Sequence, residues 1–287
     1  MKPSLGIRRR LNTLGNLSNN ELDLSETALI LAKIERPGAN TAIYKRHLKK
    51  LTADVANYAN KDANDERVGL STRIESLRQI VAKRYGYCGN DAAYENFESS
   101  NLMRVIDRRC GLPTLLGIIY LHIGRSLGWT IVGLKFPARF LLRIEFNGVR
   151  KILDPFDKLI ALEPHDLRSL YKSISGPRVE LQPDHTKALS NREIILRSKR
   201  NAKNLYLRSG DLVQAHDVVE TLLLVAPKNP TLWRESGILN ARLDRIQEAI
   251  NDLERFLKLT NTDISRYRTT VLLQELQNRL NQGSTSK

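Results

Sequence analysis

The feature that most constrains this chain is a self-similarity near its C-terminal end. Leu207, Ala215, Leu222 and Pro227 correspond to Ala241, Ala249, Phe256 and Asn261, each pair 34 positions apart. A period of this length marks a unit of two helices that cannot bury its apolar face alone and stacks on its neighbour. The small Ala215 and Ala249 fall where paired helices approach closely, Leu222 and Phe256 are the large residues opposite, and Pro227 closes the first hairpin. Helices are expected over 192–208, 212–225, 230–243 and 246–259, with a capping helix over 264–280 and a loose tail at 282–287.

Thirty-four residues is the tetratricopeptide period, so 191–281 is read as a short tetratricopeptide-like lobe. Two repeats leave terminal faces that need covering, and the lobe is expected to dock on the rest of the chain. A structural buttress and a peptide- or protein-binding groove share the same period, and both readings stay open. The first helix carries Arg192, Lys199, Arg200 and Lys203, with Arg197 and Arg208, against a single Glu193. That pattern predicts a basic, solvated face. Nucleic acid is the alternative partner, although Tyr206 is the one aromatic in the stretch and base stacking needs more.

The remainder is long enough for a second unit. The chain has 287 residues, 41% hydrophobic and 27% charged, near the size at which one core gives way to two. Its formal charge of +15 favours acidic partners without naming them. Two cysteines, Cys88 and Cys110, form no CxxC and no Cys/His cluster, so no disulfide framework, metal or cofactor is expected, and a reducing, cytoplasmic setting fits. No run of about 18 apolar residues is present, so no membrane span is expected. Residues 1–20 contain Lys2, Arg8, Arg9 and Arg10 without an acidic residue before Glu21, and are read as a flexible basic arm.

From Glu21 the periodicity turns helical. Three helices are expected: one that Arg36-Pro37-Gly38 stops, one over 41–58, and one over 71–85. Pro113 to Leu127 is the most apolar helix in the chain, with Leu115, Leu116, Ile118, Ile119, Leu121 and Ile123 nearly surrounding its axis. Three β-like runs follow, 130–136, 139–146 and 150–153, with Asn147-Gly148 as a two-residue hairpin signal. A helix begins at Glu163-Pro164, Ser175-Gly176-Pro177 ends it, and 176–190 reads as a connection. The fold class is α+β and mostly helical: a lobe over 21–175 with a buried helix and a small antiparallel sheet, then the repeat lobe.

The stretches Arg108-Arg109-Cys110-Gly111-Leu112-Pro113, Tyr120-Leu121, Arg125-Ser126-Leu127-Gly128, Pro137-Ala138-Arg139-Phe140-Leu141-Leu142-Arg143 and Leu153-Asp154-Pro155-Phe156 resemble the transglutaminase-like fold, specifically the SirB1 N-terminal family. In catalytic members of that wider superfamily, a cysteine at the start of the buried helix, a histidine on a strand and an aspartate on the next form a thiol triad. The resemblance places those slots at Pro113, Arg139 and Asp154. Proline carries no nucleophile and arginine stays protonated, so the inherited acyl transfer cannot run. An Arg139–Asp154 ion pair is expected instead. Cys110, three residues before its slot and beside Arg108 and Arg109, is the candidate displaced nucleophile, against its reading as a small turn residue. The reading is a non-catalytic interaction or regulatory protein. The alternatives are a thiol hydrolase or acyltransferase using Cys110, and a basic nucleic-acid binder.

Overall fold

Leu11 and Leu14, three residues apart, put an apolar stripe on the basic N-terminal segment. The computed structural model of the protein describes residues 2–61, 68–137, 139–261 and 263–285; Ala138, Ser286 and Lys287 lie outside the described residues. In place of a flexible arm, helix α1 (Leu5–Asn16) starts at a Ser4 cap and buries Leu11 and Leu14. The positive charge of Arg8, Arg9 and Arg10 concealed that stripe in the sequence. The chain divides into two compact units, residues 19–198 and residues 1–18 with 199–287.

In residues 19–198, Asp23 caps α2 (Leu24–Glu35) by accepting from the Glu26 amide. Helix α3 (Thr41–Lys61) follows, and α4 (Leu70–Leu77) runs on as a π-helical stretch over Arg78–Arg84. A two-residue strand β1 (Cys88–Gly89) precedes two 3₁₀ turns, Asp91–Glu95 and Phe97–Ser100, and α5 (Leu102–Arg108). Strand β2 (Cys110–Gly111) pairs in parallel with β1, setting Cys88 opposite Cys110. Pro113 then opens α6 (Pro113–Ser126) at its first position, where a missing amide is harmless. Every residue of α6 from Pro113 to Leu121 is buried, as the sequence implied. Gly117 and Gly124, seven apart on one face, let the sheet approach: a Cβ would overlap Phe140 at the first and stand 2.8 Å from Ile131 at the second.

The sheet is a four-stranded antiparallel meander, β3 (Thr130–Gly133), β4 (Leu142–Phe146), β5 (Val149–Asp154) and β6 (Ile160–Leu162). Asn147 and Gly148 both take positive φ, 49° and 78°, as a type I′ hairpin requires. Two strands are shorter than expected, because the chain bends between Gly133 and Leu142 and carries Arg139 out of the ladder. The fourth strand has three residues and no alternation long enough to read in advance. Helix α7 (Pro164–Ser175) packs Leu167 on Leu134, Phe136 and Leu141.

The expected connection at 176–190 belongs to this same unit. Leu134 bridges Ala188, and the Lys135 and Leu189 amides donate to the Lys187 and Gly133 carbonyls at 2.8 Å each. The unit reaches Ser198, inside α8 (Asn191–Arg208).

The repeat unit contains α9 (Leu212–Val225), α10 (Pro230–Arg242), α11 (Ile246–Leu259) and α12 (Asp263–Thr285). Helices α9 and α11 begin and end where the period put them, whereas α12 continues into the expected tail. Ala215 and Ala249 are completely buried and Leu222 and Phe256 nearly so. The period extends to the turns, since Gly210 and Asp244, also 34 apart, both adopt left-handed backbone with φ of 76° and 59°. Helix α1 lies against α9, and a Cβ on Gly15 would collide with the Leu224 carbonyl.

Candidate functional site

Asp154 ends β5 with its side chain 3% exposed. Its Oδ1 accepts from the Phe156 amide at 2.8 Å, fixing the Asp-Pro-Phe turn, and its Oδ2 accepts from Arg139 Nη1 at 2.9 Å. The expected ion pair is therefore present, with Arg139 reaching from the bend before β4 and not from a strand. Burial pushes the Asp154 carboxyl above its ordinary range, and the hydrogen bonds from Arg139 and Phe156 oppose that rise. The guanidinium carbon lies 4.8 Å from the centroid of Phe156, and Tyr94 packs on the same ring at 6.1 Å. Phe156 also closes over Gly89, where a Cβ would overlap its ring, while the Gly89 amide donates to the Phe156 carbonyl at 2.8 Å. Arg139 and Asp154 are thus packed under an aromatic cover, each neutralising the other.

Pro113 is buried at the start of α6. Cys110 is half-buried, and its chain neighbours turn elsewhere: Arg108 pairs with Glu98, and Arg109, at φ 58°, donates to Tyr87 and His47. Burial and the nearby Cys88 push the Cys110 thiol up, against a weaker opposing pull from Arg108. Sequence adjacency to two arginines suggested thiolate stabilisation; the left-handed residue at 109 sends its guanidinium away. The Cys88–Cys110 register was invisible in advance because each strand has two residues.

The five histidines are engaged at other places. His47 Nε2 receives Arg109, His165 pairs with Asp166, His185 accepts from the Gln182 amide, and His216 meets Ser236. His122 Nδ1 lies 3.0 Å from Ser25 Oγ, beside a cavity of about 320 Å³. Ser25 gives its proton to Asp23 at 2.8 Å, so this group stabilises a helix start and leaves the hydroxyl without a base.

The expected basic face on α8 does not form as a solvated stripe. Lys199 is buried, Lys203 pairs with Glu235 at 2.6 Å, Arg192 is half-buried and donates to Asn19, and Arg200 is exposed. Arg197 lies over Phe140. Four of its cations, Arg192, Arg197, Lys199 and Lys203, are at least half-buried, their aliphatic stems covering apolar surface, while Arg200 and Arg208 stay exposed. Among the described residues no helix is long and apolar enough to cross a membrane.

A second polar site occupies the repeat unit. There a cleft of about 550 Å³ is lined by residues of α1, α9, α10 and α11, including Arg8, His216, Glu220, Ser236 and Asp252. The sequence showed His216 as one of several scattered histidines; Ser236 and Asp252 come to it from two other helices.

Comparison with known proteins follows this division. Residues 42–200 match the transglutaminase-like superfamily and residues 202–274 match the tetratricopeptide repeat. The chain is similar to a UPF0162 protein of Xylella fastidiosa (strain Temecula1), 26% identical over 252 residues that span 86% of this chain and 88% of that one. A UPF0162 protein of Vibrio cholerae is 29% identical over 247 residues, 85% of this chain and 89% of the other. Protein SirB1 of Salmonella typhimurium is 28% identical over 200 residues, 68% and 74% of the two chains.

Proposed function

Because the chain belongs to the transglutaminase-like superfamily and continues into tetratricopeptide repeats, we propose that it is a non-catalytic interaction or regulatory protein built on a degenerate thiol-triad domain. The observation that supports this most is Arg139 at 2.9 Å from Asp154. In a thiol acyltransferase the carboxylate orients an imidazole, which takes the thiol proton and returns it to the leaving group. Here the residue facing the carboxylate is a permanent cation, which can accept no proton at neutral pH. The helix start that would lower a thiol's pKa carries Pro113. Cys110, whose thiol is held up and not down, lacks the activation a nucleophile needs. Tetratricopeptide repeats generally act through protein contacts, which gives the second unit the interaction role.

A restoration experiment tests the slots. The double variant Pro113→Cys with Arg139→His is expected to gain fast alkylation by iodoacetamide near neutral pH, while the native chain reacts slowly and turns over no thioester or amide substrate. Turnover by the native chain that Cys110→Ala abolishes overturns the reading in favour of a displaced nucleophile.

A further inference from the structure

His216 is 5% exposed, on the inner face of α9. Its Nε2 lies 3.2 Å from Ser236 Oγ, and Ser236 donates its one proton to Asp252 Oδ2 at 2.6 Å. Asn240 donates to the same carboxylate oxygen at 2.9 Å. With the Ser236 proton directed to Asp252, its oxygen must accept from the imidazole, so the proton of a neutral His216 resides on Nε2. The lone pair is then on Nδ1. That atom is buried and has no hydrogen-bond partner in the protein. A buried polar atom left so costs on the order of 1–3 kcal/mol, and its presence calls for a function.

Asp217 and Glu220 bring two carboxylates to the same imidazole. His216, Asp217 and Glu220 each offer one ligand atom, and the three atoms lie within 4.8 Å of one another. His216 and Glu220, four apart, share one face of α9, the spacing by which helices present paired metal ligands. The chain from imidazole through Ser236 to Asp252 is the outer support found behind metal-bound histidines, where the second nitrogen donates into a carboxylate system that fixes the tautomer.

We propose that His216 Nδ1, Asp217 and Glu220 bind a divalent transition cation of the zinc class, with a fourth position open to the cleft. One imidazole and two carboxylates are a borderline donor set, better matched to zinc than to calcium or magnesium, which take oxygen ligands. Burial keeps the imidazole below its ordinary range and so neutral, the form that ligates. The charged groups around the site include the carboxylates Asp217, Glu220, Glu248 and Asp252 and the cations Arg8, Arg245 and Lys2, the last at 3.9 Å from Glu220. Cation binding displaces Lys2, which is largely exposed and held at the outer limit of an ion pair. For a protein of net charge +15, selective uptake of a cation requires a built site.

The test is zinc titration of the full chain by calorimetry, in the Cys88→Ser/Cys110→Ser background so that thiolates do not contribute. One zinc per chain is expected, with affinity falling at least tenfold in His216→Ala and in Glu220→Gln. The second variant lies at the cleft wall and retains the fold if His216→Ala does not. Asp252→Asn is expected to weaken binding about tenfold, because the new amide donates to Ser236, whose proton turns to Nε2 and moves the imidazole proton to Nδ1. Cobalt loading should give visible bands without a thiolate charge-transfer band. Loss of binding in the cysteine-free background, or affinity unchanged in His216→Ala and Glu220→Gln, overturns the proposal.

Discussion

Each unit holds a carboxylate near a site that chemistry could use, buried at Asp154 and half-buried at Asp252, and the two handle it differently. Asp154 in the first unit faces a guanidinium, so the pair is neutral and closed beneath Phe156. Asp252 in the repeat unit accepts from two neutral donors, Ser236 and Asn240, and the polarity passes outward to an imidazole nitrogen that nothing in the protein satisfies. A carboxylate matched by its own cation gives structure. One matched by a relay leaves a lone pair for something else.

Breaking the first arrangement should have the largest effect. Asp154→Ala removes the counter-charge of a half-buried guanidinium and the acceptor that fixes the Phe156 amide, and is expected to lower unfolding free energy by about 3 kcal/mol. Arg139→Met should cost less, about 1 kcal/mol, since burial already favours uptake of a proton by Asp154. Urea unfolding of both variants checks the ranking. Equal costs would show that the aspartate is not the structural partner described.

The repeat unit offers an intermediate test through glycine. A Cβ at Gly237 would stand 2.6 Å from the Leu253 side chain and 3.2 Å from the Ala249 carbonyl, so Gly237→Ala forces α10 from α11. The expected cost is about 1–2 kcal/mol, after the helix-propensity gain of about 1 kcal/mol is set against overpacking. Gly6→Ala, with nothing within 4 Å of its Cβ, should stabilise α1 by up to about 1 kcal/mol. Thermal melts of the two should shift in opposite directions.

The smallest effect compares two buried imidazoles. His47 faces Arg109 and Lys50, and burial together with those cations lowers its pKa from 6.5 to about 4. His216 is surrounded mainly by carboxylates. A folded value below the unfolded one means that the contribution of His47 is complete above about 6.5 and is lost as pH falls through about 4. For a half-buried group the loss is discounted to about 1 kcal/mol. His47→Gln should flatten the stability profile between those limits. A native His47 ring resonance titrating near 6.5 would refute the cause given.

The proposed cation site at His216 was not legible in the sequence, which showed His-Asp and, three residues on, Glu220 on one helix and nothing to distinguish them from surface residues. Pro113, Arg139 and Asp154 were legible as positions through the family resemblance, but the sequence put Arg139 at the start of a strand, and the structure sets it in the bend before β4, which begins at Leu142. The basic face on α8 was misjudged from a local pattern. A helix period tells which residues share a side, and burial of Lys199 and the pairing of Lys203 with Glu235 depend on what that side meets.

The sequence by itself determined the two-helix repeat with its Ala215 and Ala249 contacts, the buried α6, and the Asn147-Gly148 hairpin. Each follows from periodicity, side-chain size or a restricted φ, all of which act within a few residues. The tertiary structure alone decided that α1 is a packed helix, that Cys88 stands opposite Cys110, and that Ser236 and Asp252 set the tautomer of His216. Those outcomes depend on contacts between residues far apart in the chain, where the energy of a polar or basic side chain is set by the partner it meets.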